Sequence, residues 1–235
     1  MKLKIKSLFT AALLCSSLFC RAGNYTNFSV AVYIPVGVVQ SFENPQKLQS
    51  DWDCISGQMK VDKVYIEVQR DRRLLSDDHV ERVKKFFIDR GVQVAGGMAL
   101  SADNIGGQFQ SFCYTDPKDR AFIKSAAELA ARHFDEVIQD DFFFVTTKTD
   151  SDIAAKGDKS WTQFRLDLMS DAAENLIVKP AKAVNPKVKM VVKFPNWYEH
   201  FQGSGFDLER EPKIFDGIYT GTETRDPVIT DQSLQ

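Results

Sequence analysis

VDKVYIEVQ, residues 61–69, is the stretch on which the fold turns. Side chains alternate along a strand with a period of two, so Val64, Ile66 and Val68 share one face while Tyr65, Glu67 and Gln69 share the other. An apolar face asks for helices packed against it. A face carrying a carboxylate asks for an interior lined with polar groups. Residues 136–144 (EVIQDDFFF) repeat the theme: Val137, Gln139 and Asp141 are expected on one face, with Ile138, Asp140 and Phe142 on the other. Residues 188–194 (VKMVVKF) do so again, with Val188, Met190, Val192 and Phe194 toward helices and Lys189 and Lys193 toward the interior. On this reading Glu67, Gln139 and Asp141 point inward together.

Around these three segments the chain alternates strand and helix. Strand one is expected at 28–36 and a helix near 45–57. Strand two covers 61–69. Ser76 caps the next helix, with Asp77 and Asp78 at its positive dipole end. Strand three spans 92–100 and is followed by a long loop to Thr115. Asp116-Pro117 opens an Ala-rich helix, a cap followed by proline at the first helical position. Strand four covers 136–144, and a polar loop follows through Asp152. Ser160 to Gln163 reads as a capping box for a long helix that Pro180 should kink or end. Strands five and six fall at 188–194 and 215–220.

Repeated β-α units imply parallel strands joined by right-handed crossovers. Neither GxGxxG after strand one nor GxxxxGK[ST] occurs, which takes support from nucleotide-binding open sheets. The inward polar faces favour a TIM (β/α)8-type barrel, within an α/β class. Such a barrel uses about 250 residues for eight strands. Only six strands are read here, so the domain at 23–235 is expected to be a partial barrel, cut short after strand six.

Residues 1–22 have the form of a signal peptide: Lys2, Lys4 and Lys6, an apolar run from Leu8 to Phe19, then Cys20-Arg21-Ala22. The run is shorter than the roughly 20 apolar residues that span a bilayer. Leu14 and Phe19 precede Cys15 and Cys20 where a lipoprotein site has a small residue, so plain export to the periplasm or exterior is favoured over a lipid anchor, and no membrane span is expected. Export permits disulfides. Cys54 is read in a helix and Cys113 in a distant loop, which predicts no bridge between them. Lys+Arg numbers 30 against 32 for Asp+Glu, a net charge of −2, without the basic excess of a nucleic-acid binder.

Active sites of such barrels gather at the C-terminal ends of the strands. Those ends carry Tyr33 and Pro35; Glu67, Gln69 and Arg70; Met98 and Ser101; Asp140 and Asp141; Asn196, Trp197, Tyr198, Glu199 and His200; and Thr222, Glu223, Arg225 and Asp226, with Lys193 facing inward from strand five. Paired carboxylates are the equipment of glycoside hydrolysis, one protonating the leaving oxygen and the other attacking the sugar or activating water. Aromatic faces stack on sugar rings, and Asn, Arg and Lys donate to hydroxyls. Each residue also has a plainer role available: Asp140 and Asp141 as lysine partners, Glu67 in a buried ion pair with Lys189 or Lys193, Trp197 and Tyr198 in packing, His200 on a solvated loop. A metal held by Glu67, Asp140, Asp141, His200 and Glu223 would be the chemical rival, but no HExxH, cysteine cluster or close histidine pair supports it, and no metal or cofactor is expected. The absence of GxSxG weighs against a Ser-His-Asp hydrolase.

The runs FDEVIQDDFFF (134–144), NWYEHFQG (196–203) and FDGIYTGTETRDP (215–227) resemble the catalytic barrels of secreted glycoside hydrolase-like proteins. The strand-four acid is similar to the nucleophile of alpha-galactosidase-like barrels, whose acid/base comes from strand six. The resemblance spans roughly residues 28–227. It implies Asp141 or Asp140 as nucleophile and Glu223 or Asp226 as acid/base. It also implies Glu67, Lys193, Asn196, Trp197, Tyr198, His200 and Arg225 as contacts to an oligosaccharide or polysaccharide. A carbohydrate-binding barrel without turnover, or an inactive piece of a longer hydrolase, are the alternatives.

Overall fold

The computed structural model describes residues 26–105, 108–195 and 202–220. Six parallel strands form the frame: β1 (Ala31–Ile34), β2 (Lys63–Arg70), β4 (Gln93–Met98), β7 (Glu136–Gln139), β8 (Lys189–Phe194) and β9 (Gly217–Thr220). They lie side by side in chain order. This sequential order separates the fold from a doubly wound sheet, where the order reverses at a switch point. Winding in one direction with right-handed crossovers puts the helices on one side, as in a (β/α) barrel. Among the described residues β1 pairs only with β2, and β9 only with β8. A groove of about 360 Å³ is lined by residues of β1, β2 and the neighbouring helices, among them Val32, Ile34, Phe42, Trp52, Val64 and Phe87.

The helix side of the sheet is the core. Val64, Ile66, Met98, Val137, Met190 and Val192 are buried there with Val80, Val83 and Phe87 of helix α3 (Asp77–Ile88). Ala126, Ala127, Ala130 and Ala131 of α4 (Pro117–His133) are fully buried, and their small size lets this helix pack closely on its neighbours. Gly96 serves the same end, since a Cβ there would come within 2.7 Å of the Phe134 ring.

The caps form as the sequence implies. Asn44 accepts from Gln46 N at the start of α2 (Pro45–Ser56), Ser76 from His79 N, and Asp116 from Lys118 N and Asp119 N. Ser160 accepts from Gln163 N at the start of α6 (Trp161–Ala172), but the Gln163 amide donates to Asp167 instead of closing a box. His79 and His133 are buried structural residues: His79 meets the Val39 carbonyl, and His133 lies between Asp77 and Glu81. Cys54 and Cys113 are free. No helix among the described residues is long and apolar enough to cross a membrane.

Several local expectations are corrected. Strand one is four residues long, and Val36 already begins a short helix α1 (Val36–Ser41). The loop after β4 contains a hairpin, β5 (Ser101–Ile105) and β6 (Gln108–Ser111). Strand four stops at Gln139, and Asp141 and Phe142 lie in a turn. The polar loop ends early in α5 (Asp150–Lys156), where Thr149 and Asp152 form a capping box. Pro180 does not end its helix. The segment continues from α6 through a π-helical stretch, Ala173–Val178, into α7 (Lys179–Val184). The wide register directly precedes the proline, which supplies no N–H and whose ring does not fit an i→i−4 ladder.

A two-residue turn joins β2 to the short strand β3 (Arg73–Leu74). Its residues Asp71 and Arg72 both have positive φ, 50° and 58°, as a type I′ hairpin requires. Arg72 is an unusual occupant of that region. A fork of hydrogen bonds from its guanidinium to Asp119, at 2.6 and 3.0 Å, holds it there.

Candidate active site

Parallel pairing puts register partners on the same face. Glu67 pairs with Gly97 and Gly97 with Ile138, while Ile138 pairs with Val191. The face away from the helices therefore carries Tyr33, Tyr65, Glu67, Glu136, Ile138, Lys189 and Lys193. At its N-terminal end Glu136 accepts from Lys63 at 2.6 Å and from Tyr65 at 2.7 Å. This corrects the expected orientation of strand four. Gln139 pairs with Met98 and Val192, on the helix side, and Asp140 continues the inward side of Glu136 and Ile138.

A second correction concerns strand two. The register with β4 shifts between Glu67 and Gln69, a bulge that breaks the alternation. Gln69 leaves the Glu67 face and pairs with Met98, where its side-chain Oε1 accepts the Leu100 N–H at 2.9 Å. Arg70 is turned onto the Glu67 side. In an unbroken strand, residues three apart point to opposite faces.

The bulge completes a charged cluster at the C-terminal ends of β2, β7 and β8. Arg70 Nε donates to Glu67 Oε1 at 2.7 Å, and Arg70 Nη2 reaches Asp140 Oδ2 at 3.3 Å. Lys193 Nζ lies 3.3 Å from Asp140 Oδ1 and 3.1 Å from Asp141 Oδ2. Asp140 and Asp141 both meet Lys193 because the chain turns off the sheet after Gln139. The Arg70 guanidinium also stacks on the Phe142 ring, 5.0 Å from its centroid. Glu67 thus pairs with Arg70 and not with the lysines the sequence suggested.

Glu67 is fully buried. Burial pushes its carboxyl up to about 7, against the pull of Arg70 and of the Val36 N–H, which donates to Oε2 at 2.8 Å; nearby Asp140 adds to the rise. Both Glu67 oxygens are therefore engaged by protein donors, and the residue serves to fix Arg70. Tyr33 lies against the same cluster. Its hydroxyl is buried with no hydrogen-bond partner among the described residues. Burial, Glu67 and Asp140 hold the phenol well above its ordinary range, with Arg70 opposing, so it remains a neutral O–H donor. Gly97 makes room for it, since a Cβ there would lie 2.8 Å from the Tyr33 ring and hydroxyl.

The structure brings together four of the residues singled out from sequence: Glu67, Asp140, Asp141 and Lys193. Asn196, Trp197, Tyr198, His200, Glu223, Arg225 and Asp226 lie outside the described residues. Arg70 and Tyr33 join the cluster without having been assigned a role. Arg70 stands at a strand end in the sequence, but the bulge that turns it onto the Glu67 face leaves no mark there.

A family model described as "probable glycosyl hydrolase, catalytic domain" matches residues 19–235. An uncharacterised protein of Saccharolobus solfataricus is 30% identical over 226 residues, covering 85% of this chain and 38% of that protein. Among solved structures, a GH5_18 variant from Streptomyces cattleya in complex with Manβ1-4GlcNAc is 13% identical with a TM-score of 0.48, covering 76% of this chain and 48% of the other. A fungal β-1,4-galactanase gives 11% identity and a TM-score of 0.44, covering 82% and 64%. A GH10 endoxylanase retrieved from a sugarcane soil metagenome gives 12% and 0.39, covering 72% and 49%. The chain thus spans well under half the length of the archaeal relative it matches. The family match covers the whole charged cluster and all six parallel strands, and the chain belongs to the family of probable glycosyl hydrolase catalytic domains.

Proposed function

We propose that this chain is a (β/α)-barrel glycoside hydrolase domain, exported by way of residues 1–22, and that it acts on an oligosaccharide or polysaccharide. The observation that carries the reading is the chain of ion pairs Glu67–Arg70–Asp140–Lys193–Asp141 at the C-terminal ends of the parallel strands β2, β7 and β8. That is where barrels of this type keep their chemistry. Asp140 is the strand-four carboxylate best placed to meet a sugar. It continues the inward side of β7, and its side chain is 15% exposed against 4% for Asp141. Glu223 or Asp226 would supply the second carboxylate. One acid protonates the leaving oxygen, and the other attacks the anomeric carbon or activates water.

The test is hydrolysis of aryl glycosides and polysaccharides by the exported protein and by its Asp140→Asn and Asp141→Asn variants. Loss of most turnover in Asp140→Asn, with an unchanged melting profile, supports the assignment. Full turnover in both variants removes this pair from the chemistry. One observation favours carbohydrate binding without turnover: Glu67, Asp140 and Asp141 each already pair with a cation, as in a structural network. Glycan binding retained in Asp140→Asn, with no hydrolysis by either protein, would select that alternative.

A further inference from the structure

The β5–β6 hairpin follows β4 and so rises from the same end of the sheet as Asp140. Its foot is fastened to the segment after β7, where Ser111 Oγ accepts from Thr146 N at 2.9 Å. Higher on the same strand, Phe109 packs edge-on against Phe142, with ring centroids 4.4 Å apart and planes at 61°. Phe142 is buried and carries the Arg70 guanidinium on its ring, and Arg70 holds Glu67 and Asp140. A continuous set of contacts thus leads from Phe109 through Phe142 and Arg70 to the carboxylates. Phe109 itself keeps 39% of its surface in solvent, and Ile105 on the paired strand keeps 64%.

A large ring left open to water loses the benefit of burial, and Phe142 braces one edge of Phe109. The open ring is one aromatic contact away from the Arg70 guanidinium, which reaches Glu67 and Asp140. An apolar plate next to a set of hydrogen-bonding groups matches a pyranose, which has a C–H face and a rim of hydroxyls. We propose that Phe109 is a sugar-stacking subsite, taking the saccharide unit adjacent to the one whose glycosidic bond faces Asp140. The proposal rests on the carbohydrate reading of the same cluster and adds to it a position that sets preference for chain length.

The experiment uses the full chain with Phe109→Ala, Phe109→Leu and Phe109→Trp variants, and β-linked gluco-, manno-, xylo- and galacto-oligosaccharides of increasing length as probes. Phe109→Leu keeps apolar packing against Phe142 while removing the ring, so it guards against a loosened hairpin. Phe109→Ala and Phe109→Leu should each raise KM for the longer oligosaccharides about three- to tenfold, with a smaller change in kcat, while Phe109→Trp keeps KM near wild type. The new indole should also shift its emission on titration with the same sugars. Unchanged KM in both ring-less variants, or indole emission insensitive to every saccharide, overturns the subsite. A protein that hydrolyses nothing, yet whose Phe109→Trp emission responds to saccharide, supports the subsite and overturns hydrolysis alone.

Discussion

Arg70 and Glu67, three residues apart on one strand, form a 2.7 Å ion pair that regular β geometry forbids. The bulge between Glu67 and Gln69 makes it possible by turning Arg70 back onto the inward face. One irregular residue thereby positions a guanidinium between the buried Glu67 carboxylate and Asp140 just past the end of β7.

Glu67 makes stability depend on pH in a sign opposite to most paired carboxylates. Its folded pKa of about 7 lies above the ordinary 4.5, so between these values the folded state holds a proton that the unfolded state has released. Its contribution is full below about pH 4.5 and is lost as the pH rises through 7, by about 3 kcal/mol in all. Urea unfolding of wild type and Glu67→Gln at pH 5 and pH 8 checks this. The stability difference between the two proteins should change in favour of the variant as the pH rises, because Gln has no proton to lose. A difference that stays constant across the two pH values would refute it.

The parallel framework was legible because burial imposes it. Val64-Ile66-Val68 and Met190-Val192-Phe194 sit on the helix side, as period-two alternation requires. The site was legible as a set of residues but not as a geometry. Val137 and Gln139 do share a face, but it is the helix side, and alternation carried past Gln139 put Asp141 with them, whereas the strand stops there and the turn brings both aspartates to Lys193. A bulge leaves no mark in an apolar/polar pattern, since Val68 and Gln69 are both fully buried. The pairing of Arg70 with Glu67 was hidden for that reason. Gly96-Gly97 carried no reading in the sequence; the structure shows that they make room for Phe134 and Tyr33.

Gly97→Ala is expected to destabilise the fold by about 1–3 kcal/mol, the usual cost of forcing extra volume into a packed site. The new methyl would meet the Tyr33 ring at 2.8 Å. The clash is with one side chain, so Tyr33→Ala should relieve it. In thermal melts the double variant should lose less than the sum of the two single variants. Strict additivity would show that the strain lies elsewhere.

Asp152 ties two loops of the site rim together. It is fully buried and accepts from Thr149 N at 2.9 Å and from Thr115 Oγ1 at 2.7 Å, linking the segment after β6 to the start of α5. Hydrogen bonds from Thr115 and Thr149 outweigh burial and hold its carboxyl below the ordinary range, so this contribution is present near neutrality and is lost as the pH falls. Asp152→Ala should cost about 1–3 kcal/mol and speed amide hydrogen exchange in residues 111–115 and 146–152. Unchanged exchange in either segment would show that Asp152 serves only its own helix.

Lys193 joins the two acids whose roles matter most. Its ammonium lies within 3.3 Å of both Asp140 and Asp141, and its side chain is 16% exposed. Replacement by methionine keeps the length and apolar stem while removing the charge. Asp140 retains Arg70 at 3.3 Å, and Asp141 loses its 3.1 Å contact with the ammonium. Lys193→Met should cost about 1–3 kcal/mol of stability, the scale of a lost charge-assisted hydrogen bond at a largely buried position. Asp141→Asn should cost less in that background than in wild type, giving a coupling of about 0.5–3 kcal/mol in a double-mutant cycle. Lys193→Arg should restore part of the stability, because a guanidinium can serve both carboxylates. If the cluster hydrolyses glycosides, Lys193→Met should also lower kcat/KM. Zero coupling between Lys193 and Asp141, measured by urea unfolding, would mean that their 3.1 Å contact contributes nothing to the fold and would leave Asp140 as the acid that Lys193 serves.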